Sequence, residues 1–169
     1  MDEFRTLLRN AMKSRAMVYE AAFDEMRKEI GEEKAREIMA RTIYRRGAAI
    51  AHNFAPHAPA DLAGLRDSFL KFIPDAEVQF GPEVVRCTDE VLEIRFHTCP
   101  LKEAWLEANL PAQTVETLCE LAGAVDKGTF ETAGFEIEVD TWKPGRSTCC
   151  HLTITPGAAA PAADPAAAH

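Results

Sequence analysis

The segment His97-Thr98-Cys99-Pro100-Leu101-Lys102-Glu103-Ala104-Trp105 marks the point where the chain changes from strand to helix. Before Cys99, residues 91–96 alternate between apolar and polar side chains, the pattern of a half-buried strand. Pro100 suits the first position of a helix, where its missing N–H is not needed. The apolar residues that follow recur at helical spacing: Leu101, Ala104 and Trp105. We therefore predict that Cys99 is the N-cap of a helix that directly follows a strand.

A cysteine at this place has two interpretations. The unpaired N–H groups and the positive end of the helix dipole favour thiolate over thiol, which makes Cys99 a candidate nucleophile or ligand-binding group. A single cysteine at a strand end is also often a small buried apolar residue. The segment by itself leaves both interpretations open.

Composition limits the classes of function. The chain has 169 residues, a length that fits one domain, and a formal net charge of −8. This charge argues against nucleic acid and anionic membrane surfaces as partners. No apolar run approaches transmembrane length, and the acidic, amphipathic N-terminus lacks the features of a signal peptide, so we expect a cytoplasmic protein. The odd number of five cysteines favours free thiols over a disulfide framework.

The first 52 residues predict a helical hairpin. Apolar side chains follow a three-four spacing over residues 4–30, Gly31 ends this helix, and a second amphipathic helix covers about residues 32–52. A first helix of this length could also pair between two chains, which would give a homo-oligomer.

The remaining chain predicts a mixed core. A short helix over residues 61–73 and a brief extended piece at residues 78–80 come first. The period then changes to two, with strands at residues 84–88, 91–98, 135–142 and 148–155, and a helix at residues 111–123. We predict one α+β domain over residues 1–156, with an antiparallel sheet of about four strands in its 61–156 part. Residues 157–169, rich in Ala and Pro, are predicted to be a disordered tail.

The candidate chemical groups lie in the second half of the chain. Glycine-rich phosphate loops, serine nucleophile elbows and Cys-x-x-Cys pairs are absent from the sequence. The groups that remain are Cys99, Cys119, Asp126, Cys150 and His151. Their spacing matches no known zinc pattern, and we predict neither a metal nor a cofactor, although thiolates distant in sequence can converge in space. Cys119 lies on an apolar helical stripe, where a cysteine is normally part of the core.

The combination of these motifs resembles the L-2-amino-thiazoline-4-carboxylic acid hydrolase family. The similarity covers roughly residues 10–155, and the motifs that carry it are Cys99-Pro100-Leu101 with Trp105, Leu118-Cys119, Asp126-Lys127-Gly128, and Gly145 followed by Cys149-Cys150-His151-Leu152. Two N-terminal segments are also similar, Ala16-Met17-Val18-Tyr19 and Tyr44-Arg45-Arg46-Gly47.

The chain departs from the family pattern at two places. Cys149 and Cys150 are adjacent, so the position of the family's final cysteine is ambiguous; we assign it to Cys150 because the apolar Leu152 lies two residues later. The pair Leu110-Pro111 stands where a glycine-containing turn is usual.

The resemblance implies a hydrolase that opens a small five-membered ring at a C–N/C–S centre and yields an N-carbamoyl amino acid such as N-carbamoyl-L-cysteine. In the mechanism consistent with it, Cys99 attacks the amidine-like ring carbon and Asp126 or His151 moves the protons. Asp126 ranks first because strand alternation puts His151 on the face opposite Cys150. Cys150 or Cys119 would line the pocket or support the nucleophile.

Four further residues are candidate substrate contacts: Trp105, His97, Arg45 and Arg46. The two arginines could clamp a substrate carboxylate, or could be no more than the solvated end of the second helix. A different class of function stays open as well, because the same cysteines suit a non-catalytic small-molecule or metal sensor, and the predicted fold resembles the vinyl-reductase-type binding domains.

Overall fold

A computed structural model describes residues 2–158 of the chain. Its helices are α1 (Glu3–Ile30), α2 (Glu32–Ala48), α3 (Leu62–Phe72), α4 (Ala76–Gln79), α5 (Pro100–Glu107), α6 (Ala112–Ala122) and α7 (Ala124–Ala133). Its strands are β1 (Pro82–Cys87), β2 (Leu92–Phe96), β3 (Phe135–Asp140) and β4 (His151–Pro156). Two short 3-10 turns, Ala51–Asn53 and Ala55–His57, connect α2 to α3.

The strands form one antiparallel sheet in the order β1-β2-β4-β3. Alternation gives this sheet one apolar face, on which Leu92, Ile94, Leu152 and Ile154 are fully buried. Ile94 pairs with Val84 on one side and Leu152 on the other, so the centre of the sheet joins the hydrophobic core. The predicted α+β class with a four-stranded antiparallel sheet is confirmed.

The N-terminal hairpin follows the prediction with one change in length. The Asp2 carboxylate caps α1 by accepting the N–H of Phe4 at 2.8 Å, and Gly31 separates the two helices with a φ of 83° that suits glycine. The second helix ends at Ala48 rather than near residue 52, because the backbone continues as the 3-10 turns.

Two local predictions are wrong. Residues 78–80, expected to be extended, lie in the short helix α4 and at its end, after the left-handed Asp75. Phe4 and Leu7, assigned to the buried stripe of α1, are 64% and 62% exposed, because α1 extends beyond the elements that cover its later turns. From residue 159 onward, the predicted tail lies outside the residues that the structure describes.

Two glycines, one on each helix, let the backbones of α2 and α7 approach closely. A Cβ atom on Gly47 would overlap the carbonyl oxygen of Val125, and one on Gly128 would overlap the carbonyl oxygen of Tyr44. The two helix backbones therefore touch, and any side chain at Gly47 or Gly128 would prevent this contact. This contact sets the position of the first turn of α7.

The surface of the described segment is informative in two respects. Within residues 2–158, no helix is both long and apolar enough to cross a membrane. On α1, the apolar side chain of Val18 is exposed, as are those of Phe4 and Leu7 in earlier turns. Pairing of two chains through α1 stays a prediction.

Candidate active site

A cavity of about 270 Å³ lies between the helices and the apolar face of the sheet. Its size is at the lower end of the range for small-molecule sites. Aromatic rings form much of its wall, with Phe69 in edge-on contact with Phe54, Phe96 and Phe130. The polar and thiol groups that line it are Arg15, Thr98, Cys99, Cys119, Asp126, Thr129, Cys149 and Cys150. The cavity suits a small ligand with an apolar body and a few polar atoms.

Cys99 is the N-cap of α5 and lines this cavity. Its backbone is extended, with φ −157° and ψ 119°, and β2 ends three residues earlier, at Phe96. Thr98 holds the approach to the helix by donating its hydroxyl to the carbonyl oxygen of Gln79 at 3.0 Å. The Cys99 side chain makes no capping hydrogen bond, but the nearby backbone N–H groups of Leu101 and Lys102 act to lower the pKa of its thiol.

The helix end does not by itself make Cys99 a thiolate. The neighbouring Cys149 thiol and the burial of the sulfur raise the pKa of Cys99 well above its ordinary value. The N–H groups of Leu101 and Lys102 act in the opposite direction and are outweighed. Burial and the neighbouring thiol therefore raise the pKa of Cys99 and favour its protonated form, against the expectation of a resting thiolate.

Two more thiols lie beside Cys99. Cys149 and Cys150 continue the pairing of β4 with β2, since the Cys149 N–H donates to the Phe96 carbonyl oxygen and the Phe96 N–H to that of Cys150, both at 2.8 Å. Their sulfur atoms are 3.6 Å apart. The Cys150 thiol is the main reason that the pKa of Cys149 is raised to about 12. Both cysteines line the cavity, and it is Cys149 that interacts with Cys99.

Cys119 also lines the cavity, and Lys102, which does not line it, lies close to Cys119. Cys119, on α6, is 5% exposed, and its burial raises the pKa of its thiol far above the ordinary range. Lys102 is only 8% exposed, which is unusual for lysine, and its ammonium group opposes the rise in pKa at both Cys119 and Cys149. The sequence analysis missed Lys102, although a lysine three residues after the N-cap cysteine lies on its face of the helix.

Asp126 supplies the acidic group of the cavity. It belongs to the first turn of α7, which the contacts of Gly47 with Val125 and of Gly128 with Tyr44 position. The residue is half-buried and lines the cavity. This burial raises the pKa of Asp126 to about 7. A carboxyl group that exchanges its proton near neutral pH is suited to general acid–base chemistry.

The structure brings together Cys99, Cys119, Asp126, Cys150 and Trp105, and keeps the other four candidates away from the cavity. His151 begins β4 and pairs with Arg95 and Asp140, so it lies on the opposite face of the sheet from Leu152. Its Nε2 atom is buried without a hydrogen-bond partner in the described part of the chain.

His97, Arg45 and Arg46 are exposed. His97 Nε2 lies 2.8 Å from a carboxylate oxygen of Glu83, and the two arginines occupy the last turn of α2. In the segment Arg45-Arg46-Gly47, Gly47 has a structural role, because its backbone packs closely against the backbone of α7. None of the three lines the cavity, so the predicted carboxylate clamp does not form there.

Arg15 of α1 is the cavity's basic residue that the sequence analysis did not select. It stands at the border of the buried stripe, three residues after Met12 and next to the fully buried Ala16. A cation at the edge of an apolar stripe is the signal that could have identified it, because such a residue reaches solvent and the core surface together.

A second polar constellation lies outside the cavity. His57 Nδ1 is 2.9 Å from Asp61 Oδ2, and His57 Nε2 is 2.7 Å from the Ser68 hydroxyl. The other Asp61 oxygen accepts the N–H of Gly64 at 2.9 Å and so caps α3. None of the three residues lines the cavity, and the network serves to begin α3 and to tie it to the preceding turn.

Comparison with known proteins identifies the family. Residues 9–152 match the sequence profile described as L-2-amino-thiazoline-4-carboxylic acid hydrolase. The chain belongs to this family. A search of curated proteins finds no match to the chain.

The site residues of this family member fall within the matched range, from Arg15 to Cys150. The family description names a hydrolase that acts on a small heterocycle bearing a carboxylate. A cavity of about 270 Å³ has room for a compound of this size. Across residues 2–158, no three His, Cys, Asp or Glu side chains are arranged to hold a metal ion.

Proposed function

We propose that this chain hydrolyses a small five-membered heterocycle of the thiazoline or cyclic-amidine type, with Cys99 as the nucleophile, to an N-carbamoyl amino acid. The observation that carries the proposal is the position of Cys99 in a member of this family, at the beginning of α5 and on the wall of a small-molecule cavity. Helix N-termini place backbone N–H groups where they stabilise a thiolate as it forms.

In the first step, the Cys99 sulfur attacks the ring carbon that bears the amino group. A bond forms between them, the bond from that carbon to the ring sulfur breaks, and the ring sulfur leaves as a thiol. The proton lost by Cys99 passes to the ring sulfur, with Asp126 as the carrier. Asp126 is suited to this task because its pKa of about 7 lets it accept and release a proton at neutral pH.

In the second step, water attacks the same carbon and the bond to Cys99 breaks. Asp126 accepts one proton from the water and passes it to the departing Cys99 sulfur, and the second proton of the water goes to the former ring nitrogen, which becomes an N–H of the urea. One water molecule is consumed, and the product carries a urea group and a new free thiol. Cys149 and Cys150, with Cys119 beyond them, line the space around the nucleophile. Cys149 is its closest partner in this scheme because the two thiols interact.

The test measures turnover of L-2-amino-thiazoline-4-carboxylic acid. Each ring opening releases one thiol, and this release is the quantity measured. Cys99→Ser is expected to lose at least 1,000-fold in kcat, on the order of what removal of a catalytic nucleophile costs. Cys87→Ser is the matched control, because Cys87 lies on β1 and does not line the cavity. Near-wild-type turnover in Cys99→Ser would overturn the covalent scheme.

Intact-mass spectrometry adds a second readout. Ring opening onto Cys99 loses no atoms, so the trapped intermediate weighs as much as enzyme plus substrate. The intermediate is expected to accumulate in Asp126→Asn, because this variant forms the adduct slowly but hydrolyses it more slowly still. No adduct is expected in Cys99→Ser.

A non-catalytic small-molecule-binding domain is the second candidate function. The protonated state of three cavity thiols favours it, since the pKa values of Cys99, Cys119 and Cys149 are all raised. Calorimetric binding of the heterocycle without release of a new thiol would support this function against the first.

A further inference from the structure

Arg15 differs from the other cations of α1 in having no carboxylate partner within the described residues 2–158. The others each form an ion pair with an acidic side chain: Arg5, Arg9, Lys13, Arg27 and Lys28. The pairs of Arg9 with Glu103 and of Lys13 with Glu107 tie α1 to α5. The Arg15 guanidinium is thus available to a charged group from outside the chain.

The position of Arg15 is well defined. Met12 and Arg15 lie one turn apart on α1, and both line the cavity. The next residue, Ala16, accepts a hydrogen bond of 2.9 Å from the indole N–H of Trp105, which also lines the cavity. Since Arg15 is exposed to solvent as well, it stands where the cavity opens to the surface.

The other polar side chains that line the cavity do not suit an anion. Asp126 becomes negatively charged when it loses its proton, and its carboxylate then repels an anion. The two hydroxyl groups already donate within the protein, from Thr98 to the Gln79 carbonyl oxygen and from Thr129 to that of Val125. The remaining groups are thiols, which are weak hydrogen-bond donors. An anionic group of a bound ligand therefore has its charge-complementary partner in Arg15.

We infer that Arg15 binds the carboxylate of the substrate and thereby gives the site its preference for rings that carry a carboxylate. This inference rests on the proposed function and assigns a specificity-determining residue to the same site. A guanidinium offers two parallel N–H donors to a carboxylate, which both holds and orients it. With the carboxylate held at the opening, the ring extends into the apolar part of the cavity, toward the thiols.

The experiment compares Arg15→Gln with wild type on two compounds, L-2-amino-thiazoline-4-carboxylic acid and 2-amino-2-thiazoline, which lacks the carboxylate. Arg15→Gln is expected to raise KM for the acid by about 10- to 100-fold, as loss of a charge-assisted hydrogen bond does, with little change in kcat. Its kcat/KM for the neutral ring is expected to stay at the wild-type value. Arg45→Gln is the matched control, because it removes the same charge from an exposed site away from the cavity.

An unchanged KM for the acid in Arg15→Gln, an equal loss on both compounds, or the same loss in Arg45→Gln would overturn the inference. If wild type hydrolyses neither compound, the proposed function fails, and calorimetric binding of the acid decides about Arg15 separately. Weaker binding to Arg15→Gln than to wild type then supports Arg15 as the carboxylate site. Equal affinity, or no binding to wild type, overturns it.

Discussion

The indole N–H of Trp105 donates a 2.9 Å hydrogen bond to the backbone carbonyl oxygen of Ala16, and this bond joins the helix that carries Cys99 to the helix that carries Arg15. Trp105 is fully buried and lines the cavity. The distance between the proposed nucleophile and the proposed carboxylate site therefore depends on this contact, which belongs to the core and to the site together.

Trp105→Phe is expected to raise KM for the acid, because α1 loses the one of its links to α5 that lies next to Arg15, which is then held less firmly. Trp142→Phe is the control, since the Trp142 indole donates a similar bond of 3.0 Å to the Arg146 carbonyl oxygen away from the cavity. Both variants are expected to lose about 1–3 kcal/mol of unfolding free energy in urea titrations. Equal KM values in the two variants would contradict a role for Trp105 in positioning Arg15.

The protonation of Cys99 predicts its reactivity. Because the pKa of Cys99 is raised, alkylation by iodoacetamide is expected to be slow at pH 6 and to accelerate up to pH 9 without levelling off. Peptide mapping after brief labelling at each pH measures this rate. Cys149→Ala is expected to speed the labelling, since the Cys149 thiol is the largest cause of the raised pKa. A rate that levels off below pH 7.5 would mean that Cys99 rests as a thiolate.

Asp126 predicts a pH dependence of stability. Its pKa is about 7 in the folded protein against 3.8 for the model carboxyl, so the folded state holds a proton that the unfolded state has lost. The free energy of unfolding is therefore expected to fall as the pH rises from 4 through 7, by up to about 4 kcal/mol. Asp126→Asn is expected to flatten this dependence and to be more stable than wild type at pH 8. Urea unfolding at pH 5 and pH 8 measures both; parallel pH profiles for the two proteins would contradict it.

The raised pKa of Asp126 also predicts that activity changes with pH in the direction opposite to stability. A general base must be deprotonated, so kcat/KM is expected to rise with an apparent pKa near 7 and to fall by about 10²–10⁴-fold in Asp126→Asn. Activity thus increases over the range in which stability decreases. A pH–rate profile unchanged by the substitution would exclude Asp126 as the group responsible.

The glycine contact between α2 and α7 predicts a large structural effect. Gly128→Ala is expected to cost more than about 3 kcal/mol of unfolding free energy, because its Cβ would overlap the Tyr44 carbonyl oxygen and no backbone can move away cheaply. Lys127→Ala, one residue earlier and exposed, is expected to be neutral. Thermal unfolding compares them, and a Gly128→Ala protein as stable as the Lys127→Ala protein would show that the helices can separate without cost.

Much of the fold was accessible from local patterns. The strand–Cys99–helix junction, the Gly31 break and the alternation that buries Leu152 and Ile154 all depend on neighbours in the chain, and the structure has each of them. The burial of the early turns of α1 was wrong, since it depends on how far the covering elements extend. The short helix α4 was missed because four residues are too few for a period to register.

The candidate site, like the fold, has some features that local sequence predicts and others that depend on tertiary contacts. The sequence by itself determined which groups are candidates for chemistry, namely the thiols and Asp126, and that Cys99 is the N-cap of a helix, because residue type and helix position are properties of the chain. Only the tertiary structure decided that Cys149 adjoins Cys99, that Arg15 rather than Arg45 reaches the cavity, and that the helix end fails to ionise Cys99. The physical reason is that proximity and desolvation arise between segments far apart in sequence, and pKa values respond to both.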